Sequence, residues 1–206
     1  MKTKCCVQIC AILAVILVMG QSGFASLNND PAAIHAYQGS SPFSTSGVLN
    51  GHVDYAVYAP GTYDGTTSFN NNLYVYAYQV FSDQSSTVSI DYFSVGLGPG
   101  VSVPTATYDS AAAFAVAGGN IPGLSLVMPQ QVIYLFQFDS ISANEHSSTL
   151  LFASDVAPGT AKGVVSAGFE GGTFMTLSTP AVTPEPATFG LLIGGALMAI
   201  RRRRKV

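Results

Sequence analysis

Between residues 48 and 81 the side chains alternate. Val53, Tyr55 and Val57 fall on one side of an extended chain with Asp54 and Tyr58 on the other, and Tyr74, Tyr76, Tyr78 and Val80 again share a side. A period of two is the mark of a strand half buried against a core; a helical period would scatter these residues around the axis. Pro60-Gly61, Asp64-Gly65 and Asn70-Asn71-Asn72 separate the two runs with residues that favour turns.

The same grammar continues downstream. Runs at 88–95, 132–138, 150–153 and 173–177 read as further strands, with 132–138 apolar enough to be a core strand covered on both faces. Residues 106–116 fit either a strand or a short helix over Ala111, Ala112 and Ala113. Gly96-Leu97-Gly98-Pro99-Gly100 and Gly118-Gly119-Asn120 are strong breaks. About seven short strands, no amphipathic helix and no fixed-period repeat predict an all-β fold: a single β-sandwich or jelly-roll-like domain over residues 48–180. Residues 26–47, rich in Ser, Pro, Asn and Gly, read as a partly ordered lead-in.

The two ends are different in kind. Residues 1–25 open with Lys2 and Lys4, continue through an apolar stretch at 9–19 and finish in Gly23-Phe24-Ala25. That order is a secretory signal peptide, expected as a leader helix cleaved before Ser26 by signal peptidase. Cys5, Cys6 and Cys10 all lie within it, so the expected mature chain has no thiol, which excludes disulfides, thiol catalysis and cysteine metal sites. With both ends set aside, Lys162 faces ten carboxylates, a formal balance of −9. Such a surface repels polyphosphate, so nucleic acid is not an expected partner.

Chemistry is sparse in the body. His52 and His146 are the bases available between residues 48 and 180, and no Gly-x-Ser-x-Gly elbow accompanies them; His35 stands alone in the lead-in. Glu145 precedes His146 directly, a spacing that sends strand side chains to opposite faces rather than to one metal. Asp54, Asp91 and Asp139 fall in expected strands and are the carboxylates to inspect for glycoside hydrolysis, with outward solubilising charge as the plainer role. Calcium would suit an exported acidic domain, but no Asp-x-Asp-x-Asp-Gly loop is present. The expectation is a non-enzyme with no cofactor and no assigned metal site. Tyr74, Tyr76 and Tyr78 could stack sugar rings if exposed, or fill the core if not.

The C-terminal tail, 181–206, is the most specific segment. Pro184-Glu185-Pro186 is held extended by its prolines, an apolar run follows at 187–200, and Arg201, Arg202, Arg203, Arg204 and Lys205 close the chain. As a helix the run is about 21 Å long, short for a hydrocarbon core near 30 Å, and the basic cluster fixes its end on the cytoplasmic side. Gly190 and Gly194 have the spacing of a close helix contact, a weak signal by itself.

This three-part tail resembles the PEP-CTERM sorting signal of bacterial exported proteins. The resemblance implies passage across the inner membrane with a short transmembrane helix as transient anchor, cleavage by an exosortase-type membrane protease, and release to the cell surface or an exopolysaccharide matrix. It makes Pro184, Glu185 and Pro186 the recognition motif, and Arg201 to Lys205 the topological stop. The body, through Asp54 to Gly61 and Tyr74 to Phe81, is similar to uncharacterised β-rich modules of such proteins. The expected function is therefore a surface or biofilm-matrix structural protein. Polysaccharide binding by the tyrosine-rich strands is the first alternative, and a matrix hydrolase the second.

Overall fold

The computed structural model describes residues 26–46, 48–112, 114–168 and 172–180. The leader expected at 1–25 and the tail at 181–206, with its short span at 187–200, lie outside the described residues. Among the described residues the only helical pieces are two 3-10 turns, Leu27–Asn29 and His35–Tyr37, and no helix is long and apolar enough to cross a membrane.

Ten strands build two antiparallel sheets. Sheet 1 runs in the order β1 (Gly39–Thr45), β2 (Leu49–Tyr58), β3 (Tyr74–Ser82), β8 (Thr149–Ser154), β5 (Ala106–Asp109). Sheet 2 runs β10 (Gly172–Pro180), β9 (Pro158–Ser166), β4 (Tyr92–Gly96), β7 (Gln131–Leu135), β6 (Leu124–Met128). The connections β3–β4, β4–β5, β5–β6, β7–β8 and β8–β9 each pass from one sheet to the other; β8 lies between β3 and β5, and β7 between β4 and β6. The chain thus passes repeatedly between two antiparallel sheets that share one core.

The alternation at 48–81 sets the register. Val53 pairs with Val80, Tyr55 with Tyr78 and Val57 with Tyr76, so one face of β2 and β3 is apolar along its length. This face meets Phe93, Val95, Val132, Tyr134, Val165, Met175 and Leu177 of sheet 2 in a single core. Tyr76 stacks on Phe152 at 5.1 Å, and the Tyr78 ring lies 5.8 Å from Phe93 across the gap. Two phenols tie the sheets together by donating across the core: Tyr78 to the Ser178 carbonyl at 2.6 Å, and Tyr134 to the Leu151 carbonyl at 2.8 Å. Burial raises both hydroxyls well above their ordinary pKa, which keeps them protonated as donors. Gly51 is needed where β1, β2 and β3 meet, because a Cβ there would lie 2.0 Å from the Phe81 carbonyl oxygen.

Sheet 1 is buried on its outer face as well. Leu27, Ala112 and Ala115 from the flanking segments cover Ala56, Tyr58, Val75, Ala77 and Leu151 in a second apolar cluster. The lead-in is therefore corrected: residues 26–45 contribute two turns, part of this outer layer and the edge strand β1. Three strands exceed the expected set: β1, β6 and β9. The ambiguous run at 106–116 is a strand only as far as Asp109, and 132–138 ends as a strand at Leu135, with Phe138 90% exposed in the turn beyond.

Candidate functional site

Two places concentrate chemistry. One is the exit of the tail, which the sheet itself positions. β10 stays paired with β9 to its last residue, Pro180 opposite Pro158, and the Gly98 amide donates to the Pro180 carbonyl at 3.1 Å. Thr179 and Pro180 are both buried. The folded body thus holds the chain firmly up to the residue before the tail.

The other is the outer face of sheet 1 around Asp54. Alternation directs this side chain away from the central core, but segment 26–28 closes over it and leaves it 4% exposed. Its carboxyl accepts from the Ser26 hydroxyl and from the Asn28 amide at 3.4 Å, while His52 Nε2 lies 3.9 Å away. The plain expectation of an outward, solvated Asp54 is overturned, because the lead-in that buries it is ordered. Serine, aspartate and histidine meet here, yet the carboxyl stands between hydroxyl and imidazole. A hydrolytic triad needs the imidazole in that middle position to take the hydroxyl proton. His52 instead stacks flat on Phe81, with ring centroids 4.6 Å apart.

Of the remaining sequence-selected groups, Asp139 and Glu145 converge on the Asn120 side-chain amide, which donates to them at 3.1 and 3.4 Å. His146 also packs against Phe81, with ring centroids 5.5 Å apart, and contacts Gln79 at 3.2 Å. Glu145 turns elsewhere, accepting from the Ser142 amide at 2.8 Å. Asp91 accepts from the Ser140 hydroxyl at 2.5 Å, and Asp139 lies in a turn rather than a strand, holding the Ile121 amide at 3.0 Å. His35 is exposed and pairs with the Gln38 amide at 3.1 Å. Among the described residues, no three of His, Cys, Asp and Glu gather as a metal site.

The tyrosines resolve toward the core. Tyr76 and Tyr78 are 0% exposed and offer no face to a sugar, so that reading is corrected for both; Tyr74 is half buried against the same cluster. Two carboxylates missed in the sequence do structural work instead. Asp30 accepts from Tyr58 Oη at 2.5 Å, and burial together with that carboxylate drives the Tyr58 phenol far above its ordinary pKa. Burial pushes Asp109 upward, but the Thr66 hydroxyl and the amides of Ala111, Thr66 and Thr67 outweigh it and hold this carboxyl below its ordinary value. These bonds pin the 63–67 loop to β5. Asp30 and Asp109 precede Pro and Ser in turn-like sequence, a local signal of a side chain that caps its own backbone.

Residues 182–205 match the PEP-CTERM protein-sorting motif. The tail is a PEP-CTERM sorting signal. It marks the chain as an exported protein, transiently anchored in a membrane and processed by an exosortase, itself a membrane protein. The motif begins two residues after β10 ends, and it contains Pro184, Glu185, Pro186 and the cluster Arg201 to Lys205. No curated protein and no solved structure matches the chain.

Proposed function

We propose that this protein is a structural component of the cell surface or exopolysaccharide matrix, delivered by its sorting signal and released by cleavage at Pro184-Glu185-Pro186. The observation that carries this reading is the junction between body and tail. β10 is hydrogen-bonded into sheet 2 through Pro180, and the sorting motif starts at 182. Cutting within the motif therefore removes no strand from either sheet, and the released body keeps both sheets and their shared core. Pro184 lies four residue steps beyond Pro180, a span of at most about 14 Å even fully extended. The protease must accordingly work close against the tail-exit end of the sandwich.

Release also changes the charge. The tail takes five cations with it and leaves Lys162 against the body's carboxylates, a balance suited to a hydrated, soluble surface component. In this reading the body acts by presence and adhesion rather than by catalysis. It needs no cofactor, and its passing partners are signal peptidase, the inner membrane and the exosortase.

Intact-mass measurement of the protein recovered from the extracellular matrix tests the proposal. The expected mass lacks residues 1–25 and everything beyond the Pro184–Pro186 motif. A matrix-recovered protein that retains residues past Pro186 would refute the release step. Changing Pro184, Glu185 and Pro186 together to alanine is expected to leave the chain in the membrane fraction.

A further inference from the structure

Asp54 is a buried carboxyl with incomplete compensation. Its neighbours are one hydroxyl, one amide and the imidazole of His52. Beside it, the Asn28 amide oxygen is buried and has no hydrogen-bond partner. A buried acidic group next to an orphaned acceptor is costly unless a donor, preferably cationic and with several N–H groups, supplies both. Lys162, the body's one Lys or Arg, cannot, because its ammonium lies over the Phe174 ring on the other sheet at 5.5 Å.

Ser26 is both the residue whose hydroxyl reaches Asp54 and the residue expected to start the mature chain. Covalent geometry keeps its nitrogen within about 4 Å of that hydroxyl oxygen, so the nitrogen cannot be far from the carboxyl. We infer that the α-ammonium released by cleavage between Ala25 and Ser26 is the missing cation, pairing with Asp54 and donating to Asn28 Oδ1. Water adds across the peptide bond, the leader keeps the carboxylate, and the Ser26 amine takes up a proton. Before cleavage the same nitrogen is a neutral amide with a single N–H. Removal of the leader thereby completes the outer layer of sheet 1, and Leu27, 1% exposed in the second cluster, anchors the new terminus in place.

This inference rests on the leader reading in the proposed function, and its tests separate the two. N-terminal sequencing of the exported protein must give Ser26; any other start overturns the pairing but leaves tail processing untouched. Titration of the α-amino group in the mature protein, read by its rate of acylation or by NMR, must then give a pKa raised by about one unit over the ordinary 7.7–8.0. Asp54→Asn is expected to return it to the ordinary range. Ser26→Ala keeps the ammonium and drops the hydroxyl, so the raised value should persist. An ordinary pKa in the folded wild type, or a raised one in Asp54→Asn, refutes the pairing. Should Asp54→Asn not fold, the wild type in native and urea-unfolded states decides, since only the native state should show the shift.

The groups facing Asp54 are His52 on its own strand, Ser40 opposite on β1 and Gln79 opposite on β3, with His146 beyond Gln79. His52 Nε2 lies 3.9 Å from the carboxyl. A raised amine pKa gives stability that is complete below about pH 7.7 and is lost as pH rises through the folded-state value. An N-terminally acetylated mature protein should lack this alkaline limb; an unchanged profile after acetylation would overturn the inference.

Discussion

The two sheets share a core but differ on their outer faces. Sheet 1 is covered there: Leu27, Ala112 and Ala115 bury Ala56, Ala77 and Leu151, and two carboxylates beneath the cover, Asp54 and Asp30, are 4% and 1% exposed. Sheet 2 has no such layer among the described residues. Leu124 and Leu126 lie opposite Leu135 and Ile133 on its outer face, and both are well exposed, as is Phe174 near the far edge, 67% accessible with Lys162 over its ring. The difference teaches that an outer face is made dry or wet by what the rest of the chain lays over it. Residue type alone does not decide this: Leu126 on the edge strand β6 is exposed, and Leu151 on the inner strand β8 is buried beneath the cover.

Substitutions that break this contrast should rank accordingly. Leu151→Ala, under the cover of sheet 1, should cost about 3 kcal/mol in denaturant unfolding, through lost burial and a residual cavity. A cost below about 1 kcal/mol would mean the covering layer does not pack. Asp109→Asn should cost about 2 kcal/mol, since a carboxylate accepting several bonds from Thr66, Thr67 and Ala111 loses its charge-assisted contacts. Because this carboxyl is held below its ordinary value, its contribution is present above about pH 3.9 and disappears as pH falls through the folded-state pKa. Limited proteolysis near 63–67 should accelerate over that acid window in the wild type. In Asp109→Asn it should be fast throughout.

Tyr78→Phe probes the tie between sheets and should cost about 1 kcal/mol, because it leaves the buried Ser178 carbonyl without its donor. On the open face, Leu126→Ala and Phe174→Ala should each change stability by no more than about 0.5 kcal/mol. A loss near that of Leu151→Ala at either position would show that sheet 2 is covered in solution after all.

How far the fold was legible follows from where each strand lies. β2 and β3 announce themselves because each turns one unbroken apolar side to the core, with Val53, Val57, Tyr76, Tyr78 and Val80 all meeting there. β1 is hidden by its position at the edge of sheet 1, where an exposed Pro42 and the serines at 40, 41 and 44 are tolerated because only one neighbour must be satisfied. β9 is hidden for the opposite reason. It lies inside sheet 2, but Gly163 sits beneath Leu177, whose side chain occupies the space a Cβ would take, so the pattern lacks a large residue at a core position. β6 carries exposed apolar residues on both sides and so shows no alternation at all.

The sequence by itself determined the parts whose signal is local. Period-two alternation and turn residues dictate strands rather than helices, and the contiguous motif at 182–205 specifies how the chain is sorted, because a processing enzyme reads it as a linear segment. Only the tertiary structure decided which faces are dry. Alternation says that Asp54 points away from Val53, but whether that direction leads to water depends on segment 26–28, far away along the chain, returning to lie over it. The same holds for Tyr76 and Tyr78, whose spacing fits a sugar-stacking surface as well as a core until the second sheet closes over them. Burial is a property of long-range contacts, and no short window of sequence contains both partners.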